Sequence, residues 1–272
     1  MTAFLDLHRP GTPLLMPNPW DVGSAKLLAS LGFEALATTS SGFAATLGRL
    51  DGNVTRAEAI AHCAALVEAV DVPVSADLEN GFADDAAGVA ETIGLARDAG
   101  LAGCSIEDWS GDAIYEREHA VERVAAAAEA AHAGEVPLVL TARAENLIHG
   151  RDDLADTIAR LQAFQEAGAD VLYAPGLTDL QQIRQVVSEV DRPVNVLALA
   201  AAPPVAQLAQ AGVARISIGG GFAYVAMGAV VQAARELRER GTYELWQGAA
   251  IGAKAWRAAA SLPTRCQQRA HG

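Results

Sequence analysis

Two carboxylates, Asp77 and Glu79, come directly after a short apolar run, residues 72–76. Side chains alternate along a β-strand, so residues two positions apart point to the same side. Two negative charges side by side repel each other unless a positive charge lies between them. The pair therefore indicates a site that holds a cation.

Other short apolar runs also end in polar side chains, most of them carboxylates. Hard oxygen ligands without a His or Cys cluster are typical of Mg²⁺ sites, or of Mn²⁺ in its place. Because Mg²⁺ usually keeps some of its waters, several of these carboxylates would bind it through water. The polar residues at these run ends are Asp51, Glu107, Asp108, Arg143, Glu145, Asn146 and Asn195.

From these positions we predict that Asp77, Glu107 and Glu79 bind a metal ion. Two structural alternatives stay open. Glu107 can instead form an ion pair with Arg143, and an Asp after a parallel strand can cap the helix that follows. The residues for which we expect capping are Asp21, Asp84 and Asp85.

Short apolar runs alternate with stretches of helical periodicity along most of the chain, and several of these stretches end in Gly. This alternation implies parallel strands joined by right-handed crossovers. About eight such units in a chain of this length predict an α/β fold, a (β/α)8 TIM-type barrel. The predicted strands cover residues 13–17, 35–39, 72–76, 102–106, 137–142, 170–174, 193–197 and 214–218.

A doubly wound open sheet is the competing fold, but it usually has a glycine-rich turn after its first strand. Here that turn reads Asn-Pro-Trp-Asp, at residues 18–21. We therefore predict a single barrel domain over residues 1–272. An apolar helical extension at about residues 242–262, with Trp246 and Trp256, is more typical of an oligomer contact than of a ligand site.

Composition narrows the class of protein. The net charge of −13 argues against nucleic acid as a partner, because phosphate binding favours a basic surface. No run approaches the roughly 20 apolar residues of a membrane span, and the first residues lack a signal-peptide pattern. The three cysteines, Cys63, Cys104 and Cys266, are far apart, which fits a reducing compartment, and we expect a cytoplasmic protein.

Lysine-dependent chemistry is excluded by position. The only lysines, Lys26 and Lys254, fall in the first and last predicted helices, whereas Schiff-base and pyridoxal phosphate chemistry need a lysine in the site. The glycines at 219–221 could cradle a phosphate at a helix start. A tight turn is favoured there, because the only nearby basic residue, Arg215, lies inside a strand.

Five short motifs, taken in order, resemble the isocitrate lyase/phosphoenolpyruvate mutase superfamily. They are N-P-W-D-V-G-S-A at 18–25, T-S-S-G-F at 39–43, D-L-E-N-G at 77–81, S-I-E-D at 105–108 and T-A-R-A-E-N at 141–146. The resemblance extends from about residue 15 to about residue 230. It implies a (β/α)8 barrel, an Mg²⁺ site and a small 2-oxo- or 2-hydroxy-carboxylate substrate. It also implies a homodimer or homotetramer that exchanges a helix beyond the barrel.

The resemblance assigns roles to individual residues. Asp77 matches the direct metal ligand, Glu79 stands where a second Asp is usual, and Glu107 matches the carboxylate of the fourth strand. Asp51 matches an acidic residue on the loop after the second strand, which completes the implied metal set.

The implied substrate contacts lie on other strands. Ser41, Gly42 and Phe43 match the segment whose backbone and hydroxyl hold the substrate carboxylate. Arg143 matches an arginine that contacts developing negative charge, and Asn195 matches a polar residue of the seventh strand. Arg143 and, with it, Glu107 are the predicted catalytic residues.

The chain departs from the superfamily where the lyases keep their catalytic acid. Isocitrate and methylisocitrate lyases carry a K-[KR]-C-G-H loop after the fourth strand, whereas this chain reads W-S-G-D-A-I-Y at 109–115. Cys104 lies inside the fourth strand, where we expect it to be buried. The sixth strand is followed by A-P-G at 174–176, where the lyases present a glutamate, and the mutase's longer gating loop is not evident.

Three functional hypotheses remain open. The first is an Mg²⁺-dependent carbon–carbon lyase or decarboxylase, in which Mg²⁺ and Arg143 stabilise an enolate. The second is carbon–phosphorus mutase or hydrolase chemistry. The third is a carboxylate-binding barrel without catalysis. Tyr115, Glu145 and His119 are candidate bases, and the sequence does not choose among them.

Overall fold

The computed structural model describes residues 3–261 of the chain. Within that range eight parallel strands form one sheet in the order β1-β8-β7-β6-β5-β4-β3-β2. The two outer strands also approach each other, since the amide of Ala37 donates to the carbonyl of Pro17 at 3.1 Å. The sheet is therefore a nearly closed barrel, as predicted. Its strands are β1 (Leu14–Met16), β2 (Leu36–Ala37), β3 (Val74–Asp77), β4 (Gly103–Glu107), β5 (Val139–Arg143), β6 (Val171–Tyr173), β7 (Val194–Leu197) and β8 (Arg215–Ser217).

Helices follow the strands and cover the outside of the barrel. Those between strands are α1 (Val22–Ser30), α2 (Ser40–Thr46), α3 (Arg56–Ala69), α4 (Ala86–Asp98), α5 (Arg117–His132), α6 (Leu154–Glu166), α7 (Leu180–Glu189) and α8 (Val205–Gln210). Two more, α9 (Gly221–Arg240) and α10 (Trp246–Ala260), follow β8. The predicted extension is thus helix α10, and its last predicted residue, 262, lies outside the described residues, as does Cys266. None of the helices within residues 3–261 has the length and apolarity that a bilayer crossing requires.

Side chains on the two sides of a strand have different surroundings: those on one side pack against helices, and those on the other line a cavity. On β4, Cys104 and Ile106 are buried in the main apolar cluster with side chains of the surrounding helices. Their neighbours Ser105 and Glu107 instead line a cavity in the barrel. Burial raises the pKa of the Cys104 thiol to about 12, which fits the expectation that it is not a catalytic acid.

The N-terminal segment contributes to a second apolar cluster, which contains Phe4, Leu14 and Val139. Phe4 lies so close to β4 that a methyl group added at Gly103 would meet its ring at 2.8 Å. His8 follows a short 3₁₀ turn, Leu5–Leu7, and is buried.

Candidate active site

Parallel pairing brings the polar residues of successive strands to neighbouring positions. The register aligns Asp77 of β3 with Ser105 of β4, and Glu107 of β4 with Arg143 of β5. It then aligns Arg143 with Tyr173 of β6, and Tyr173 with Asn195 of β7. Side chains from five strands therefore border one cavity of about 620 Å³. This volume is of the size that small-molecule sites occupy.

Arg143 is the positive charge that lies between the carboxylates. Its guanidinium contacts Asp77 at 3.0 Å, Glu107 at 3.0 Å and Glu145 at 2.8 Å. Burial alone would lower the pKa of this arginine, but the three carboxylates outweigh burial and raise it well above its usual value. The ion pair between Glu107 and Arg143, left open by the sequence, is thus present in the structure.

The cavity is also lined by carboxyl groups that do not contact Arg143, among them Asp51 and Glu79. Burial, reinforced by Asp77 and then Asp51, raises the pKa of Glu79 to about 7. Burial also raises the pKa of Glu107 well above its usual value, against the opposing effect of Arg143. The pKa of Asp51, a more exposed residue, is raised as well, by partial desolvation and then by Asp77. All of these residues line the same cavity, and a second cation would relieve their repulsion.

These residues fit a magnesium ion that keeps part of its water shell. The donors are carboxylate oxygens, which Mg²⁺ prefers, and no thiol is among them. Within residues 3–261 no three His, Cys, Asp or Glu side chains converge closely enough to enclose a metal ion by themselves. One or two direct carboxylates with water in the remaining positions is the usual arrangement for Mg²⁺.

Glu79 is held by an unusual backbone turn between β3 and α4. Its φ is 49°, Gly81 follows with φ 79° and Phe82 with φ 55°. A residue other than Gly in this region costs about 1–3 kcal/mol and occurs often at functional sites. Arg123 of α5 stabilises the turn by donating to the carbonyls of Asn80 and Ala83.

The segment expected to hold a carboxylate is the start of α2. Thr39 caps this helix, and the amide of Ser40 donates to Asp77 at 3.2 Å. Ser41 lines the cavity, and its hydroxyl lies 3.2 Å from that of Thr39. Gly42 lies against Trp20 instead.

Phe43 lies behind the cavity wall, where its ring stacks on His62 at 3.8 Å. It borders a small second hollow beside Asp77 and Glu79. Of the segment 41–43, therefore, only Ser41 is a lining residue of the main cavity.

The opposite wall is built from hydrogen-bonded polar side chains of β7 and β8. Asn195 donates to the hydroxyl of Ser217 at 3.0 Å and accepts from Nε of Arg215 at 2.9 Å. Burial lowers the pKa of Arg215 to about 10. Asn18 accepts from the amides of Ile218 and Gly219, each at 2.9 Å, and so supports the tight turn that precedes α9.

Of the three acidic residues predicted to cap helices, two do so and one does not. Asp21 caps α1 and Asp85 caps α4, as expected. The prediction for Asp84 was wrong, because its carboxylate accepts from the hydroxyl of Tyr115 at 2.6 Å. The ring of His119 also lies at Asp84, with Nε2 2.9 Å from the backbone carbonyl. Neither Tyr115 nor His119 lines the main cavity.

Three side chains that the sequence analysis did not assign a role complete the site: Arg160, Trp109 and His149. A buried pair, Asp108 and Arg160 at 3.0 Å, supports Glu145, whose amide donates to Asp108 at 2.8 Å. At the cavity rim, the rings of Trp109 and His149 stack at 3.6 Å. The sequence does contain one signal for His149: it is a titratable residue only four positions after Glu145, at the end of a predicted strand.

Comparison with known proteins agrees with this architecture. The phosphoenolpyruvate phosphomutase family model matches residues 4–238. A candidate lyase/mutase from Burkholderia cenocepacia J2315 has a crystal structure that matches with a TM-score of 0.91 and 51% sequence identity over 95% of each chain.

Two relatives with named activities are more distant. The 2-methylisocitrate lyase of Escherichia coli K12 is 30% identical over 223 residues, which are 73% of this chain and 74% of the enzyme. A crystal structure of 2,3-dimethylmalate lyase matches with a TM-score of 0.79 and 26% identity over 90% of each chain. The chain belongs to the phosphoenolpyruvate phosphomutase family, within the isocitrate lyase/phosphoenolpyruvate mutase superfamily.

Proposed function

We propose that this protein is an Mg²⁺-dependent lyase or decarboxylase that cleaves a carbon–carbon bond of a small 2-oxo- or 2-hydroxy-carboxylate. The observation that carries the proposal is the group of carboxylates around Arg143: three contact its guanidinium, and others line the same cavity of about 620 Å³. Relatives named as 2-methylisocitrate lyase and 2,3-dimethylmalate lyase support the substrate class.

Asp77, Glu79, Glu107 and Asp51 are the residues that would hold Mg²⁺. When bound, the ion supplies a Lewis-acid charge beside the reacting carbonyl or carboxylate. The raised pKa of Glu79, about 7, supports this assignment, because burial first, and then Asp77 and Asp51, disfavour its charged form, which a bound cation would favour.

The other side chains bind and orient the substrate. The hydroxyl of Ser41 would hold the substrate carboxylate, and Asn195 would contact the substrate from the opposite wall of the cavity. Arg143 would face the oxygen on which negative charge develops when the carbon–carbon bond breaks and its electron pair enters an enolate. Such fixed donors stabilise a transition state by several kcal/mol because they need little reorganisation. Asp77, Glu107 and Glu145 keep the guanidinium in place.

The proposal is tested with oxaloacetate, 2-methylisocitrate, 2,3-dimethylmalate and phosphonopyruvate, each with and without Mg²⁺. We expect pyruvate to form from one or more of the first three only when Mg²⁺ is present. Protein-dependent turnover should be separated from the spontaneous decay of oxaloacetate by a blank with heat-denatured protein.

Asp77→Ala should lower this turnover by about 100-fold or more, because it removes a metal ligand and one ion-pair partner of Arg143. Asp98→Ala is the matched control, since Asp98 is an exposed residue at the far end of α4. Unchanged turnover in Asp77→Ala would remove the metal role of this residue. Release of phosphate from phosphonopyruvate would favour carbon–phosphorus chemistry instead, and binding of these acids without turnover would favour a barrel without catalysis.

A further inference from the structure

A histidine and a tryptophan from neighbouring loops form one wall of the cavity rim. Trp109 follows β4 and His149 follows β5, and their rings stack at 3.6 Å with an interplanar angle of 10°. Both residues line the same cavity as Asp77 and Arg143. Stacking fixes the plane of the imidazole, while the side chain keeps 31% of its surface exposed. The ring therefore borders the cavity and can exchange protons with solvent.

A buried carboxylate fixes the edge of the same ring. Nε2 of His149 lies 3.5 Å from Oε2 of Glu145. Glu145 cannot move freely, because its other oxygen accepts from Nε of Arg143 at 2.8 Å and its amide donates to Asp108. An acid–base group oriented by a third side chain is a recurrent arrangement in active sites. Here that arrangement also connects the imidazole to the arginine at the centre of the site.

The other proton donors considered for this reaction lie elsewhere. The hydroxyl of Tyr115 donates to Asp84, and His119 also contacts Asp84. Cys104 is fully buried, with a pKa of about 12. Among residues 3–261, His149 is the histidine that lines the main cavity. The loop at 109–115 lacks the cysteine that the lyases carry there.

We infer that His149 is the general acid of this site and that Glu145 is its positioning residue. The inference rests on the proposed function and extends it to the proton-transfer step. When a 2-oxo acid such as oxaloacetate loses CO₂, the electron pair of the broken carbon–carbon bond becomes the enolate of pyruvate. The protonated imidazole of His149 then gives one proton to the carbon of that enolate and is left neutral. It regains a proton from solvent, so decarboxylation consumes one solvent proton in each turnover.

The reverse of this step gives a test that does not depend on the natural substrate. In D₂O with Mg²⁺, the neutral imidazole would remove a methyl proton of pyruvate and return a deuteron, which NMR follows at C3. The wild-type protein should catalyse this exchange. His149→Gln should slow it by about 100-fold or more, the usual contribution of a general acid or base. The affinity for oxalate, an enolate mimic measured by calorimetry with Mg²⁺, should change by less than about threefold.

His119→Gln is the matched control and should exchange like the wild type. Trp109→Phe keeps an aromatic ring against His149, so it should retain most of the exchange. Exchange by His149→Gln at the wild-type rate would overturn the assignment. Loss of oxalate affinity in step with loss of exchange would overturn it too, because His149 would then act in binding.

Failure of the proposed lyase activity can be distinguished from failure of the role assigned to His149. If the wild type exchanges pyruvate in a His149-dependent way but turns over none of the four acids, the lyase assignment falls and the role of His149 stands. Absence of exchange in the wild type would overturn the role of His149, whatever the outcome with the acids.

Discussion

At the scale of single residues, the site is organised around one arginine that several carboxylates share. One guanidinium, that of Arg143, contacts three carboxylates that are largely buried. Burying one of these charges alone would cost several kcal/mol, so each group depends on its partners. Removal of any one partner is therefore expected to disturb the others. This coupling separates the site from the exposed ion pairs of the surface, such as Arg49 with Glu58, which contribute little.

His8 offers a pH-dependent test at the residue scale. Its Nδ1 lies 3.1 Å from the carbonyl of Phe4, and its Nε2 lies 3.4 Å from Nη1 of Arg215. Arg215 can only donate, so Nε2 accepts, Nδ1 donates and the ring is neutral. Burial first, and then Arg215, lowers the pKa of His8 from 6.5 to about 3.

Acid should therefore weaken the fold through His8. Because the pKa is lower in the folded state, the unfolded chain takes up a proton first as the pH falls below 6.5. The contribution is full above pH 6.5 and is lost progressively toward pH 3. We expect the free energy of unfolding to fall by about 2 kcal/mol more between pH 7 and pH 5 in the wild type than in His8→Gln.

Urea unfolding at the two pH values measures this difference. His119→Gln, which replaces an exposed histidine, should keep the wild-type pH dependence. Equal slopes in the wild type and His8→Gln would show that His8 is not held neutral.

Sequence reading predicted which residue types gather in the site, because strand ends meet at one end of a barrel. It could not predict their pairing. Whether Arg143 contacts Glu107 or leaves it for a metal depends on side-chain geometry that no spacing reveals. His8 and Arg215 lie 207 positions apart, and no local pattern connects them. His149 and Trp109 lie in loops, which have no periodicity to align them.

At the scale of elements, the long helices and the strand order were predictable and the short elements were not. Glycines at helix ends, and the alternation of short apolar runs with helical stretches, were enough to predict eight strand–helix units. The predicted second strand at 35–39 is only Leu36–Ala37 in the structure, because helix α2 begins at Ser40. Ser and Gly are weak helix formers, so the sequence gives little signal for α2. The cap from Thr39 and packing at Gly42 stabilise this helix instead.

Gly42→Ala tests how tightly the start of α2 is packed. A methyl group at this position would lie 2.7 Å from Cγ2 of Thr39, 2.9 Å from Cβ of Trp20 and 3.3 Å from Cβ of Ala223. These distances are too short, so the helix start, which holds the Ser40 amide against Asp77, must shift. We expect a loss of stability of about 1–3 kcal/mol, as for other overpacked positions. We also expect oxalate affinity to fall by about tenfold or more.

Gly94→Ala is the matched control for this prediction. Gly94 lies inside α4, and a methyl group there would meet no atom within 4 Å. That variant should gain about 0.5–1 kcal/mol, since Ala favours a helix interior over Gly. Thermal unfolding and calorimetry with oxalate distinguish the two variants. Wild-type oxalate affinity in Gly42→Ala would show that the start of α2 adapts without loss of the site.

At the scale of the whole molecule, the apolar surface is concentrated on the last two helices. On α9, Val225 is 70% exposed and Val230 is 68% exposed. On α10, Trp246 is 67% exposed and Ile251 is 75% exposed, whereas Trp256 lies near Gly23 of α1 in the same chain. Several exposed large apolar side chains on neighbouring elements of the chain are typical of protein interfaces. The acidic net charge of −13 would otherwise favour separated chains, so an oligomer must gain its stability from apolar burial.

We expect the protein to form a homodimer or homotetramer through α9 and α10. Trp246→Glu combined with Ile251→Glu should shift it to monomers at micromolar concentration, because a buried carboxylate without a partner costs several kcal/mol at an interface. Light scattering after size-exclusion chromatography measures the mass. Val136→Glu is the matched control, since Val136 is 74% exposed on the loop before β5. Circular dichroism should show that both variants stay folded. A monomeric wild type, or a double variant that keeps the wild-type mass, would contradict the assignment of this surface.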